Sequence, residues 1–257
     1  MWCCTVGCGV LDDSLIANVA GGCESLNYVR PDFEPSDYMM KHNYYWTPFT
    51  TGGAYGTYCV CLSAGSILKW MKQCFFSDWD DKRNGSFYRY MDEMVGESPT
   101  NIVVVPYFST AGSPLFSTNA NGLIDGLKLN TTSFDIYRGI MEGITYSLKE
   151  NMDILSAAGY STRTIRSTGG GANSAIWSQI KADVFSSQIE IVSGNEAGTV
   201  GAAIIAGVGT GAFDSYREAA DTLVKISAVY EPLNKYKDIY DHNYQRFREL
   251  RENNLFS

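Results

Sequence analysis

An α/β fold is the class this sequence predicts. Two observations point to it. Short runs rich in β-branched and aromatic residues are interspersed with longer stretches whose apolar residues recur at helical spacing. The second half reads helix, strand, glycine turn, helix, strand, helix, which is the order found in α/β proteins.

Each element has its own signal. Val6 to Val10 is small and apolar, and Leu11 to Ser14 reads as a connection. Val19 to Val29 is strand-like on either side of Gly21-Gly22, and Tyr44 to Leu62 suits strands with a hairpin turn near Gly52-Gly53. A helix is expected from Ser63, with Ile67, Leu68, Met71 and Phe75 on its apolar side. Residues 77–100 are polar and irregular, with a short helix suggested by Tyr88, Met91 and Met94; Ile102 to Val105 is a compact buried strand closed by Pro106.

Ser133 followed by Asp135 starts a helix whose Ile136, Ile140, Ile144, Leu148, Met152 and Leu155 keep one face to Gly159. Gly139 and Gly143 lie one turn apart in it, and since each weakens a helix by about 1 kcal/mol, another backbone is expected to pack closely there. Thr162 to Arg166 reads as a strand, Asn173 to Val184 as a helix and Gln188 to Val192 as a strand. Ser193-Gly194-Asn195-Glu196 has the form of a capping box opening a small-residue helix from Gly198 to Gly207. Helices over 215–228 and 234–252 finish the chain, with no linker, low-complexity segment or internal repeat.

Composition narrows the function. The 257 residues, 45% hydrophobic and 19% charged, suit a soluble globular protein of one large or two small domains. A net charge of −8 argues against non-specific nucleic-acid binding, although backbone amides or Mg²⁺ can still receive an anionic nucleotide. No apolar run is long enough to span a membrane, and Met-Trp-Cys-Cys-Thr-Val-Gly lacks the features of a signal peptide, so a cytoplasmic location is expected. The seven cysteines have no Cys-x₂-Cys spacing and only His42 and His242 accompany them. Buried free thiols, and no metal site, are the expectation. Neither histidine is placed like a catalytic base, and both read as surface residues.

Ser167-Thr168-Gly169-Gly170-Gly171-Ala172-Asn173-Ser174 carries the most chemistry. A strand running into glycines and then a helix lets a ligand approach the backbone where a Cβ would clash, and offers unpaired N–H groups. No Gly-Lys-Ser/Thr follows, so it is not a Walker loop, and a tight structural turn is the plainer alternative. Gly207-Val-Gly209-Thr-Gly211-Ala212 imitates a dinucleotide fingerprint but follows a helix, and so reads as a helix end. Gly-x-Ser-x-Gly is absent, and Tyr44-Tyr45-Trp46 suits packing at a sheet edge better than stacking on a ligand.

Taken together, these segments resemble the C-terminal domain of the FGGY carbohydrate kinases. Gly122-Leu-Ile-Asp-Gly126-Leu127 followed by Asp135-Ile136-Tyr-Arg-Gly139-Ile140-Met141-Glu142 is similar to the family's second signature, with Gly139 where Ala or Ser is usual. Gly169 through Val184 resembles its adenosine motif, and Glu196-Ala-Gly198-Thr-Val-Gly201-Ala-Ala203 the helix after it. Ala64-Gly65-Ser66-Ile67-Leu68-Lys69-Trp70 resembles a helix beside the nucleotide. The likeness covers roughly residues 1–230, which gives a nucleotide-binding domain over 1–232 and a helical extension over 233–257.

The resemblance implies an RNase H-like, actin-like ATPase domain, an α/β fold with a mixed sheet flanked by helices, and transfer of the γ-phosphoryl of ATP·Mg²⁺ to a sugar or polyol hydroxyl. It implies that Gly170, Gly171 and Asn173 contact adenosine and phosphate, that Gly65 and Lys69 line the nucleotide site, and that Gly21-Gly22 is a phosphate loop. Gly22 stands where the family has Thr, keeping a backbone donor but not the hydroxyl. The family's catalytic aspartate falls ahead of Met1, as does its first domain with most sugar contacts. The expectation is half an enzyme, inactive alone, with no catalytic residue of its own. The sugar is left open, as is a homodimer. The alternative is a non-catalytic interaction module that keeps the kinase fold for assembly with a partner chain.

Overall fold

The computed structural model describes residues 1–32, 36–160, 164–194 and 196–255. Along the chain come Trp2–Gly7 (α1), Ile16–Ala20 (β1), Glu24–Arg30 (β2), Asp37–Lys41 (α2), Thr47–Pro48 (β3), Tyr55–Cys61 (β4) and Ala64–Phe75 (α3). Asp81–Asn84 (α4), Phe87–Met94 (α5), Val103–Val105 (β5), Leu123–Asp125 (β6) and Ser133–Ala157 (α6) follow. The remainder is Thr164–Thr168 (β7), a 3₁₀ turn at Gly170–Asn173, Ala175–Phe185 (α7), Gln188–Val192 (β8), Ala197–Gly209 (α8), Tyr216–Leu223 (α9), Ile226–Tyr230 (β9), a 3₁₀ turn at Asn234–Tyr236 and Lys237–Leu255 (α10).

Seven strands form one sheet in the order β3-β4-β2-β1-β7-β8-β9. β7 pairs parallel to both β1 and β8, and the other neighbours are antiparallel, so the sheet is mixed as expected. The two-residue period of a strand sends Ile16, Leu26, Tyr28, Ile165 and Ile189 to one face, where α3, α5, α6, α7 and α10 cover them. Ala17, Val29 and Val192 point to the other face, against α1, α8 and α9. The result is three layers with a core on each side of the sheet.

The glycines of α6 bear out the expected close approach. A Cβ on Gly143 would fall inside the van der Waals limit of the Val104 carbonyl oxygen, and one on Gly139 would lie 2.8 Å from Ile102 Cγ2. Packing against β5 therefore offsets their weak helix propensity. The helix N-terminus carries a true capping box one residue earlier than the sequence suggested. Thr132 Oγ1 accepts from Asp135 N at 3.2 Å, and Asp135 Oδ2 accepts from Thr132 N at 2.8 Å.

Other expectations need correction. The capping box proposed at Ser193 does not form: Glu196 occupies the N-cap of α8 without a side-chain hydrogen bond, and Ser193 N donates instead to Lys225 O at 2.7 Å. The helix expected over 215–228 stops at Leu223, because Val224 turns extended and Ile226 to Tyr230 pair with β8 as an added edge strand. The free thiols are not all buried: Cys3, Cys23 and Cys74 are exposed, while Cys8, Cys59 and Cys61 are buried. Thr162 and Arg163 of the expected strand, and Asn195, lie outside the described residues. The helix end at Gly209 to Gly211 stands as read, with Gly211 at φ +76°. No described helix is long and apolar enough to cross a membrane.

One buried charge makes stability depend on pH. Glu142 of α6 accepts from Arg138 Nε at 2.6 Å and from Thr100 N at 3.4 Å through Oε1, while its buried Oε2 has no partner. Burial pushes this carboxyl up to about 8, against the pull of the Arg138 guanidinium. The folded chain then binds more protons than the unfolded chain between pH 4.5 and about 8. Stability from this group is therefore full below pH 4.5 and is lost as pH rises to about 8. Urea unfolding across that range is expected to show a downward slope that flattens in Glu142→Gln; an equal slope in the variant refutes the assignment.

Candidate functional site

Local sequence builds the site from backbone more than from side chains. At the end of β1 the chain turns through exposed Gly21 and Gly22 into β2. The turn's carbonyls receive the first N–H groups of α3: Gly65 N donates to Gly21 O and Ser66 N to Gly22 O, each at 3.1 Å. Ser66 Oγ also donates to Gly22 O at 2.9 Å. A Cβ on Gly65 would lie 2.5 Å from Gly21 O, so only glycine lets the hairpin dock on the helix. This docking satisfies donors that a helix start otherwise leaves open.

The second wall comes from β7 and α7. Gly169 has φ +95° and ψ −177°, a conformation reserved for glycine, and its missing Cβ would be 2.5 Å from Ala20 O. A Cβ on Gly171 would lie 3.0 Å from Ala20 Cβ and 3.1 Å from the Trp177 ring. Ser174 caps α7 by accepting from Trp177 N at 3.1 Å, and Trp177 Nε1 donates to Thr145 Oγ1 at 3.2 Å, which anchors the corner to α6.

The structure thus gathers most of the sequence-derived residues at one junction. Gly169 and Gly171 abut Ala20, whose next neighbours, Gly21 and Gly22, abut Gly65 and Ser66. Gly170 is exposed with nothing within 4 Å of a would-be Cβ, and Asn173 is exposed at the end of the 3₁₀ turn. Lys69 lies one turn beyond Gly65 on α3, exposed and without an ion pair among the described residues. The surface is a shallow backbone shelf and not an enclosed cavity. Deeper hollows lie at the far end of β1, one of about 360 Å³ lined in part by Ile16, Tyr28, Lys149 and Tyr160. His42 and His242 lie away from the shelf, His42 turning its Nδ1 to Tyr38 O at 2.8 Å in its own turn. Among the described residues no group of His, Cys, Asp and Glu is placed to hold a metal ion.

Sequence reasoning missed the polar cluster beneath this shelf. Asn18 of β1, Glu24 of β2, Ser167 of β7 and Lys181 of α7 meet inside the core. The available signals were an amide within an apolar strand and a lysine one turn after Trp177 on a helix otherwise turned inward.

Comparison with known proteins bears on the family and the fold. The profile of the FGGY family of carbohydrate kinases, C-terminal domain, matches residues 32–210. Xylulose kinase of Staphylococcus epidermidis is 29% identical over 254 residues, covering 96% of this chain and 49% of that protein. Among solved structures, xylulose kinase from Lactobacillus acidophilus superposes with a TM-score of 0.83 at 20% identity, covering 98% of this chain and 49% of that one. Plasmodium falciparum glycerol kinase with ADP gives 0.81 at 22% identity, covering 99% and 50%. The chain spans about half the length of the curated relatives it matches.

Proposed function

We propose, for a chain that belongs to the FGGY family of carbohydrate kinases, that it is the nucleotide-binding half of an ATP-dependent sugar or polyol kinase. The supporting observation is the gathering of Gly65, Gly21, Gly22 and Gly169–Gly171 around Ala20, which leaves backbone in place of large side chains. Adenosine would lie along Gly170, Gly171 and Asn173, with the phosphates toward the Gly21-Gly22 hairpin and Lys69 supplying positive charge. Gly22 offers no hydroxyl; Ser66 Oγ, 3.3 Å from where a Gly22 Cβ would stand, is the hydroxyl available nearby.

Among the described residues no group of His, Cys, Asp and Glu is placed to hold a metal ion, so Mg²⁺ would enter with the nucleotide. Phosphoryl transfer also needs a base for the acceptor hydroxyl and a cleft that aligns it with the γ-phosphate. The shelf presents neither, and the sugar and the base would be held by a domain such as the other half of the relatives. Activity therefore belongs to the two halves together.

The test is calorimetric titration with ADP and with ATP·Mg²⁺. One binding site per chain is expected, with a Kd on the order of 0.1–1 mM because the shelf is only one side of a cleft. Gly171→Asp, which sets a carboxylate against the phosphates and the Trp177 ring, should abolish the heat. No heat from the wild type, or equal heat from the variant, overturns the nucleotide reading. Xylulose phosphorylation by the chain alone is expected to be absent.

A further inference from the structure

The buried polar cluster lies directly under the shelf and joins its two walls. Lys181 Nζ is 2.5 Å from Glu24 Oε1, with the two side chains 1% and 0% exposed. The same ammonium is 3.1 Å from Asn18 Oδ1 and sits over the Trp177 ring, 4.6 Å from its centroid. Asn18 Nδ2 donates to Glu24 Oε1 at 2.8 Å, and Ser167 Oγ donates to Asn18 Oδ1 at 2.7 Å. Glu24 Oε2 is buried without a partner.

Position gives this cluster its meaning. Glu24 is the first residue of β2, immediately after the Gly21-Gly22-Cys23 turn. Ser167 lies just before Thr168 and Gly169, and Asn18 just before Val19 and Ala20. Lys181 stands one turn after Trp177, whose ring limits the space at Gly171. One unbroken line of contacts thus runs from Gly171 through Trp177 and Lys181 to Glu24 and the hairpin.

Apolar residues of similar volume would stabilise such a site as well or better, since both charges are removed from water. Their best-attested use is to hold one arrangement against alternatives. Here the arrangement held is the spacing of the two walls.

We propose that Glu24 and Lys181 are positioning residues of the shelf, their ion pair fixing the Gly21-Gly22 hairpin relative to the Gly169–Gly171 corner at the spacing a nucleoside diphosphate requires. The ligand part of this inference rests on the nucleotide reading of the shelf. Removing Lys181 alone strands a buried carboxylate, and that variant is expected to fold poorly. The informative variant is therefore Glu24→Gln with Lys181→Met, which is neutral, close in volume, and keeps an acceptor for Asn18. Glu142→Gln serves as control, because that buried carboxylate touches neither wall.

Two readouts are taken where all variants are folded: amide hydrogen exchange of residues 20–24 and 169–173 without nucleotide, and calorimetric titration with ADP. The double variant is expected to melt near the wild-type temperature. Its hairpin amides should exchange about tenfold faster and its ADP affinity should fall about tenfold, with neither change in the control. A double variant that exchanges and binds like the wild type overturns the proposal alone. A wild type that gives no heat with ADP overturns the nucleotide reading, and the positioning of a nucleotide falls with it.

Discussion

Gly169→Val is expected to cost about 2–6 kcal/mol of stability and to remove nucleotide binding altogether. Two separable penalties make up that figure. Holding a non-glycine residue at φ +95° and ψ −177° costs about 1–3 kcal/mol, and a β-branched side chain belongs at the upper end. The new Cβ would also sit 2.5 Å from Ala20 O, a backbone atom that cannot swing aside, and such overpacking costs about 1–3 kcal/mol. Against a typical total of about 5–15 kcal/mol the sum is a large share. Because Ala20 leads directly into the Gly21-Gly22 turn, relief of the clash must shift the hairpin away from the corner. Gly170→Ala, with nothing within 4 Å of its Cβ, is the matched comparison and should stay within about 0.5 kcal/mol of the wild type. Urea denaturation of both variants decides the matter: equal midpoints would mean that the corner does not adopt this backbone.

That contrast also marks how far the sequence could be read. Glycine in a helix signals a close neighbour, and Gly139 and Gly143 do meet Ile102 and Val104. Glycines between a strand and a helix signal exposed backbone, and the Gly169–Gly171 corner has it. Both signals are local, so a single sequence carries them.

What escaped was set by distant partners. α1 is too short to hold itself and exists because Gly7 and Gly201 let its backbone touch that of α8. Ile226 to Tyr230 becomes a strand only because the edge of β8 is free to receive it. Cys23 and Cys74 have small or apolar neighbours in sequence, yet point outward, since neighbours do not fix which face a residue takes. The Glu24–Lys181 pair joins segments far apart in the chain, and nothing near either residue announces the other. The glycines of the shelf were therefore legible, and the charges that support it were not.

Phe247→Ala is expected to destabilise the whole domain by about 3–5 kcal/mol, the usual cost of emptying a buried phenylalanine site. Phe247 is on α10, in the stretch read from sequence as a helical extension, and it is fully buried against Tyr146 of α6, with ring centroids 6.0 Å apart. The helix is tied down at several further points. Asn243 Nδ2 donates to Thr100 O at 2.8 Å, Arg246 pairs with Asp125 at 2.6 Å and Arg251 with Glu150 at 3.0 Å. Arg138 of α6 donates to the Tyr240 hydroxyl at 2.9 Å, which joins α10 to the buried Arg138–Glu142 pair. Contacts of this number and burial couple the melting of the helix to that of the core. Unfolding followed by tryptophan fluorescence and by far-ultraviolet circular dichroism should therefore give one coincident transition, displaced as a unit in the variant. His242→Ala, on the exposed side of the same helix, should move it by no more than about 0.5 kcal/mol. If Phe247→Ala instead left the main transition in place and released only a minor helical one, α10 would be an appendage. The Arg138–Glu142 pair, and the pH dependence drawn from it, would then have to be sought without Tyr240.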